Sequence, residues 1–252
     1  MTVRPGVEIA SLTDVGCQRE NNEDSYAYWE PEEDREFERL GRLVIVADGM
    51  GGVEGGQIAS RIAVDSVREA YAASAEPTPQ QRLLEAFQFA HAQVQGKARE
   101  NPSLRGMGTT LTAFALVRDQ LSYAHVGDSR LYLLRAGKLQ PLTRDHSLVA
   151  RLVENGIVSA RDAESHPQKH VLTAAVGVSD EILPDHASAP MSVLPFDVLM
   201  ACSDGLWGQL SESEMSEILA SKTPPEACRA LVQLAKEHGG PDNITLQILR
   251  VA

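Results

Sequence analysis

A short apolar run that ends on an acidic residue and a series of glycines constrains the fold of this chain more than any other feature. Residues 43–47 (LVIVA) are apolar and rich in β-branched side chains, and the run is short enough for a buried strand. Asp48 follows directly, and glycines at 49, 51, 52, 55 and 56 come before helical periodicity begins near Gln57. The pattern predicts a strand, a tight turn with little side-chain bulk, and a helix.

Asp48 therefore stands at the tip of a predicted buried strand, beside backbone that a ligand can approach closely. This carboxylate and the carbonyl oxygen of Gly49 suit a hard divalent cation, which takes oxygen ligands. An Asp-Gly pair is also an ordinary turn sequence, so the stretch alone leaves a simple turn open.

The same arrangement recurs elsewhere in the chain. Asp128 follows an apolar segment and Gly127, and Asp204 follows the apolar residues 196–202. Asp242 comes just before a predicted last strand, and Asp24 just before a predicted second strand. An unpaired carboxylate at a buried strand end is costly, so the repetition favours a common function for these acids.

Five acids at strand ends require a counter-charge. The nearby basic residues, Arg19 and Arg130, cannot neutralise five carboxylates, whereas bound divalent cations can. Two such ions about 3.5–4 Å apart would generate a hydroxide and clamp a phosphoryl group, and Arg19 would bind phosphate oxygens. Arg19, Glu23 and Asp24 share the polar loop at residues 15–25, for which a simple solvated loop also stays open.

Periodicity, turn and capping signals predict the remaining elements. The short connections between residues 107–117, residues 120–128 and a hairpin at 130–135 and 138–143 imply antiparallel pairing of successive strands. The charge-dense residues 30–42 predict an exposed loop. Residues 157–190 show little periodicity, so we interpret the segment of about 147–190 as a flap on the substrate side. Further strands are predicted at residues 7–14, 25–29, 196–202 and 244–251. Helices are predicted at residues 57–73, 148–155, 211–220 and 223–238, and another helix is predicted to start at Thr78.

Composition limits the possible partners and location. The chain has 252 residues, 43% of them hydrophobic, and a formal net charge of −12, which argues against nucleic acid or anionic membrane as a partner. The three scattered cysteines show no zinc spacing, and no apolar run approaches the roughly 18 residues of a membrane helix. We expect a cytoplasmic monomer with a single domain over residues 1–252.

A series of short motifs runs through nearly the whole chain in a fixed order. Each motif alone is a weak signal, but together at this spacing they are highly specific. They are TDVG at 13–16, followed by Arg19 and NED at 22–24, then DGMGG at 48–52, MGTT at 107–110, HVGDSR at 125–130, TRDHS at 143–147, CSDGL at 202–206 and GGPDNIT at 239–245. With these motifs the chain resembles the bacterial branch of the metal-dependent, 2C-like PPM protein phosphatases.

The resemblance implies an α+β fold, a four-layer α-β-β-α sandwich of two antiparallel sheets flanked by helices, with two Mn²⁺ or Mg²⁺ ions at one end. By motif match, Asp48 bridges both metals, and Asp204 and Asp242 complete the first. The Gly49 carbonyl serves the second metal. Water held by Glu23 or Asp24 serves it too, and Asp128 with Asp204 matches a third, weaker metal site.

The resemblance also implies an activity. A metal-bridging hydroxide attacks phosphoserine or phosphothreonine directly, without a phosphoenzyme, and Arg19 matches the phosphate-binding arginine. The expected partners are phosphorylated proteins, including a bacterial serine/threonine kinase that the enzyme opposes. A regulatory phosphoprotein-binding module on the same fold is the alternative from another class, and loss of Asp204 or Asp242 would have favoured it. A structural globule with turn-forming Asp-Gly pairs is the third interpretation.

Three departures from the family pattern bear on substrate handling. Met50 replaces the histidine of eukaryotic members that is proposed as general acid, as it does in bacterial members. Val53 stands where bacterial members usually carry histidine. Lys169 and His170 replace a common Arg-Asn pair, and Ala174 replaces a frequent arginine, which puts substrate preference in doubt more than catalysis.

Overall fold

The computed structural model describes residues 3–51, 54–163 and 166–252, which fold into two antiparallel sheets packed face to face with helices on both outer faces. This confirms the predicted α-β-β-α sandwich. The strands are β1 (Val7–Asp14), β2 (Asp24–Trp29), β3 (Arg42–Met50), β4 (Gly108–Thr109), β5 (Leu111–Val117), β6 (Gln120–Val126), β7 (Arg130–Arg135), β8 (Lys138–Pro141), β9 (Asp185–His186), β10 (Met191–Ser192), β11 (Val198–Cys202) and β12 (Ile244–Val251). The helices are α1 (Asp34–Leu40), α2 (Gly55–Ala73), α3 (Pro79–Glu100), α4 (Leu148–Glu154), α5 (Ala160–Ala163), α6 (Asp204–Trp207), α7 (Glu212–Ser221) and α8 (Pro224–Glu237), with a 3₁₀ turn at Pro102–Leu104.

The two sheets combine strands that are far apart in the sequence. One sheet has the order β1-β12-β11-β7-β8, and the other has the order β10-β6-β5-β3-β2, with β9 beside β6 and β4 beside β3. Strand β12 lies between β1 and β11, and it pairs with β1 over all eight residues. The first sheet therefore combines strands from the beginning, middle and end of the described chain.

Strand β3 illustrates how the layers arise from the period of two in a strand. Leu43, Ile45 and Ala47 pack in one core with residues of α2 and α3, whereas Val44 and Val46 pack in a second core between the sheets. All five side chains are fully buried. Both faces of β3 are covered, which explains why its sequence is a continuous apolar run.

Helices α3, α7 and α8 begin at the residues that the sequence predicts as their starts. Thr78 Oγ1 accepts a hydrogen bond from the Gln81 N–H at 3.2 Å, and a proline occupies the first turn of α3. Ser211 caps α7 and Thr223 caps α8, each in a capping box with the glutamate three residues later. Within the described residues, no helix combines the length and apolar character needed to cross a membrane.

The prediction of an exposed loop at residues 30–42 is wrong, because residues 34–40 form helix α1. Leu40 is buried, and the ring of Phe37 lies beneath the guanidinium groups of Arg4 and Arg42, at 4.7 and 4.8 Å. The helix is thus stabilised by contacts with distant residues, which local charge density does not reveal.

Strand pairing also differs from the prediction in two respects. Residues 107–117 form two strands, because β4 pairs with β3 and β5 begins only after Thr110. The pairs β5–β6 and β7–β8 are antiparallel as predicted, but β6 and β7 belong to different sheets. The chain crosses between the sheets at Gly127, with φ of +112°, and this crossing places Asp128 at the ends of both sheets.

The segment at residues 147–190 contains α4, α5 and β9, with irregular backbone between them in the part that the structure describes. Its start is fixed to its middle, since the Leu148 N–H donates to the Val171 carbonyl at 2.8 Å. Its later part is held by α3, where His91 Nδ1 accepts a hydrogen bond from the Gly177 N–H at 3.0 Å. The segment is therefore closed on itself between residues 148 and 171 and attached to α3 at Gly177.

Candidate metal and phosphate site

The predicted site residues lie at one end of the sandwich, where strand ends of both sheets converge. Strand β2 begins and β3 ends there, so that Asp24 lies directly opposite Asp48. In the other sheet, Cys202 at the end of β11 pairs with Arg130 at the start of β7. A hydrogen bond of 2.8 Å from Ser203 Oγ to Asp24 Oδ2 joins the two sheets at this end.

Asp48 and Asp24 are held close together in a buried setting. The Asp48 N–H donates to Thr110 Oγ1 at 2.9 Å, and its carbonyl accepts from the Thr110 N–H at 2.8 Å. Burial, and then the charge of Asp24, raises the pKa of Asp48 well above its ordinary value. Burial raises the pKa of Asp24 to about 7, although Ser203 and Thr245 hydrogen-bond to it. Raised pKa values in this setting indicate carboxylates without sufficient counter-charge.

Asp128 and Asp204 approach the same region from the other sheet. Asp128 is 6% exposed, and burial followed by the charge of Asp204 raises its pKa well above the ordinary value. Asp204 is the first residue of α6, and its Oδ2 atom lies 3.6 Å from His170 Nδ1. The Oδ1 atoms of Asp24 and Asp204 are buried and have no hydrogen-bond partner among the described residues.

Arg19 and Asp242 form an ion pair at the solvent side of the site. Arg19 Nη2 lies 2.8 Å from Asp242 Oδ2, and the hydrogen bond to Asp242 raises the pKa of Arg19. The Arg19 side chain is 53% exposed, so its remaining N–H groups are accessible to an anion from solvent. Asp242 Oδ1 accepts a hydrogen bond from the Asn243 N–H at 2.8 Å, which fixes the orientation of the carboxylate.

Glu23 occupies space that a glycine leaves at the start of α2. A β-carbon on Gly56 would lie 2.7 Å from Glu23 Oε2, so any other residue there would displace the carboxylate. The Glu23 carbonyl accepts a hydrogen bond from Ser60 Oγ at 2.6 Å. Burial raises the pKa of Glu23, while the charge of Arg19 opposes this shift.

The donor chemistry of this cluster fits hard divalent cations. In the described part of the chain, no three acidic, histidine or cysteine side chains already converge in a group that encloses an ion. His170 and Arg19 each approach one carboxylate instead, at Asp204 and Asp242. The unpartnered buried oxygens, and the pKa values of Asp24, Asp48 and Asp128 that burial and neighbouring carboxylates raise, are features that a bound cation would relieve. Oxygen donors favour Mg²⁺ or Mn²⁺.

Sequence reasoning missed Asn243, which organises the loops of the site. Its Oδ1 atom accepts from the Glu23 N–H at 2.8 Å, and its Nδ2 group donates to the Val15 and Asn21 carbonyls, at 3.0 Å each. The sequence signal that could have identified Asn243 is its position between the predicted ligand Asp242 and the last strand. Asn243 is only 5% exposed, and a buried side-chain amide requires several hydrogen-bond partners.

The structure describes the position of one departure from the family pattern, the Lys169-His170 pair, but not that of another, Val53. His170 reaches the acid cluster, and Lys169 beside it is exposed. Val53, together with Gly52 of the DGMGG motif, lies outside the described residues.

Comparison with known proteins gives matches along nearly the whole chain. A family model described as protein phosphatase 2C matches residues 18–237. The protein phosphatase PhpP of Streptococcus pneumoniae is 38% identical over 250 residues, which cover 96% of this chain and 97% of that protein.

Solved structures give the same result. The serine/threonine phosphatase of S. agalactiae superposes with a TM-score of 0.88 at 34% identity, covering 98% of this chain and 100% of that one. The catalytic domain of the serine/threonine protein phosphatase PstP, in complex with two manganese ions, gives a TM-score of 0.85 at 30% identity, covering 98% and 99%. These matches confirm the resemblance inferred from the motifs, and the chain belongs to the protein phosphatase 2C family.

Proposed function

We propose that this protein hydrolyses phosphoserine and phosphothreonine on other proteins, and that it depends on Mn²⁺ or Mg²⁺. The observation that carries the proposal is the meeting of buried and half-buried carboxylates with an exposed arginine at one end of the sandwich. Relatives that are named as protein phosphatases match the chain over nearly its whole length, which supports the same activity here.

The acid cluster would hold the metal ions. The proposed ligands of a first ion are Asp48, Asp204 and Asp242, and those of a second are Asp48, the Gly49 carbonyl, and Glu23 or Asp24 through water. Asp128 with Asp204 would hold a third ion more weakly. When bound, such cations supply Lewis-acid activation of water and neutralise the charge of the phosphoryl group.

Arg19 would bind the phosphate group of the substrate. Its guanidinium group is planar and carries five N–H donors, which matches the oxygens of a phosphate. Only Nη2 is directed to Asp242 at 2.8 Å, so the exposed side chain retains donors for a second anion. The ion pair with Asp242 therefore orients the arginine toward the site before substrate arrives.

Met50 and the segment at residues 147–190 bear on substrate handling. The thioether of Met50 has no ionisable proton, so this side chain cannot protonate the leaving serine or threonine. His170 is close to Asp204, and we assign this segment the role of a flap that contacts the protein around the phosphorylated residue. Its Lys169 and His170 would then influence which phosphoproteins are preferred.

The proposed substrates are phosphoproteins, including a serine/threonine kinase and its targets. Cytoplasmic action as a monomer, with one domain over residues 1–252, is part of the same proposal. The net charge of −12 supports the absence of nucleic acid among the partners.

The test is hydrolysis of p-nitrophenyl phosphate and of a phosphothreonine peptide by the wild type and by Asp204→Ala, each in chelator, Mg²⁺ and Mn²⁺. We expect turnover only with metal and only with Asp204 intact. Asp65→Ala is the matched control, because Asp65 lies on the surface of α2 and pairs only loosely with Arg68, at 3.3 Å.

Each outcome separates the candidate functions. Full activity in Asp204→Ala would contradict the proposed metal site. No turnover by a folded, metal-loaded wild type would favour the phosphoprotein-binding module, and phosphopeptide affinity would then be measured instead.

A further inference from the structure

The indole of Trp207 connects the two turns that carry Asp128 and Asp204. Its Nε1–H group donates a hydrogen bond of 2.9 Å to the backbone carbonyl of Asp128. Trp207 is also the last residue of α6, three positions after Asp204, so both side chains lie on the same side of this single helical turn. One side chain thus spans the distance between two acids that belong to different segments of the chain.

The indole ring is itself held by a second contact. The guanidinium carbon of Arg130 lies 3.5 Å from the centre of the Trp207 ring, in stacking contact. Two hydrogen bonds to Asp145, of 2.8 and 2.7 Å, and one of 3.0 Å to Tyr132 Oη fix the guanidinium plane. The ring therefore has little freedom to turn its N–H group away from Asp128.

The turn around Asp128 makes other hydrogen bonds, but these are to segments other than α6, which carries Asp204. Thr110 Oγ1 and Ser129 Oγ are hydrogen-bonded at 2.7 Å, and the His146 N–H donates to the Gly127 carbonyl at 2.7 Å. These contacts tie the turn to the strand region after β4 and to the loop before α4. Among the hydrogen bonds of the described residues, the one from Trp207 is the link between this turn and the helix of Asp204.

We propose that Trp207 is a positioning residue, which sets the separation of Asp128 and Asp204 so that both can bind the same divalent cation. The inference rests on the proposed function, because it requires these acids to be metal ligands. It assigns to the Trp207 N–H group a role that acts through the Asp128 backbone. The residue does not itself contact metal or substrate.

The test uses Trp207→Phe, which keeps one aromatic ring for Arg130 and removes the N–H donor together with part of the ring area. Loss of a group that supports a metal ligand typically costs about 10–100-fold in metal affinity. We expect Mn²⁺ binding by calorimetry to be roughly tenfold weaker at the step that involves Asp128, with the other steps unchanged. Trp29→Phe is the matched control, because Trp29 packs against the core on β2 and should leave every step unchanged.

Asp128→Asn and the double variant Asp128→Asn/Trp207→Phe separate positioning from general stabilisation. If Trp207 acts through Asp128, the second substitution has no further effect on Mn²⁺ binding once Asp128 is neutralised. A uniform weakening of all steps by Trp207→Phe would overturn the proposal, because that result indicates a general structural role. Equal binding curves for Trp207→Phe and Trp29→Phe would also overturn it.

A fluorescence signal supplies a readout that is independent of turnover. The chain has two tryptophans, so Trp29→Phe leaves Trp207 as the remaining emitter. We expect Mn²⁺ to quench this emission, and Asp128→Asn in the same background to reduce the quenching. If Asp128→Asn alters neither quenching nor any binding step, Asp128 is not a ligand and the inference fails, while metal-dependent hydrolysis by the wild type would still support the proposed function.

Discussion

The carbonyl oxygen of Gly56 lies 2.1 Å from the position that a β-carbon on Gly49 would occupy. The Glu23 carbonyl is 2.6 Å from the same position. The end of β3, the start of α2 and the loop before β2 therefore pack backbone against backbone. This contact brings the Gly49 carbonyl, the Glu23 side chain and Asp48 into one small volume, because no side chain separates the three segments.

Replacing the two glycines Gly49 and Gly96 by alanine should have opposite effects. Gly49→Ala forces backbone apart at the site, so we expect loss of most activity and a lower melting temperature. Gly96 lies within α3 with nothing within 4 Å of the position that an added methyl group would take, and alanine there should stabilise the fold by about 0.5–1 kcal/mol. Thermal unfolding and phosphatase assays on both variants check this, and a neutral Gly49→Ala would contradict the close packing.

In metal-free protein, the acid cluster should make stability fall as pH rises. The pKa of Asp24 is raised from 3.8 to about 7, so the folded state binds more protons than the unfolded state between these values. The protonated Asp24 stabilises the folded state fully below about pH 4, and this contribution is lost as pH rises through about 7. The loss in the free energy of unfolding is on the order of 4 kcal/mol for this group. Melting temperatures in chelator between pH 5 and 8 should therefore decrease.

Asp24→Asn provides the control for that pH dependence, since an amide cannot titrate. Its melting temperature in chelator should depend less on pH and exceed that of the wild type at pH 8. Asp65→Asn, on the exposed face of α2, should retain the wild-type slope. An Asp24→Asn slope equal to that of the wild type would contradict the assignment of the effect to this carboxylate.

Bound Mn²⁺ should raise the melting temperature, because it relieves the repulsion among the acids. Binding to the folded state alone adds about 2.7 kcal/mol when the ion is at 100 times its dissociation constant. For a chain of this size that corresponds to roughly 5–10 °C. Asp48→Asn should lose most of the shift, and a thermal shift that persists fully in this variant would place the ion elsewhere.

Arg19→Ala should affect phosphate handling more than metal binding. A charged hydrogen bond to phosphate contributes about 1.5–3 kcal/mol, which corresponds to roughly a 10- to 100-fold loss of kcat/KM on p-nitrophenyl phosphate. Arg19→Lys should restore the charge but only part of the activity, because lysine lacks the planar donor set. Unchanged KM and kcat in Arg19→Ala would exclude the phosphate-binding role.

Much of this architecture could be predicted from local sequence. The apolar run of β3, the capping box at Ser211 and the helix start at Thr78 each depend on neighbouring residues, and each matches the structure. The motifs also identified the acids that the fold brings to one end. Asp24 and Asp48 are neighbours because of the register in which β2 pairs with β3.

The features that escaped prediction depend on contacts between distant segments. Helix α1 is covered by Arg4 and Arg42 through Phe37, and residues 30–42 alone show mainly charge. Asn243 bonds to backbone groups more than 200 positions away, so no local pattern reports its role. The change of sheet at Gly127 likewise requires knowledge of which sheet the next strand joins.

The position of β12 between β1 and β11 has a consequence for how the enzyme is made. The five-stranded sheet cannot close during synthesis until residues 244–251 have left the ribosome, because β1 has no other partner in that sheet among the described strands. Asp242 arrives with the same strand. The nascent chain therefore cannot assemble its full acid cluster before this last strand has been synthesised. Until then, the hydrogen-bonding edge of β1 stays unpaired.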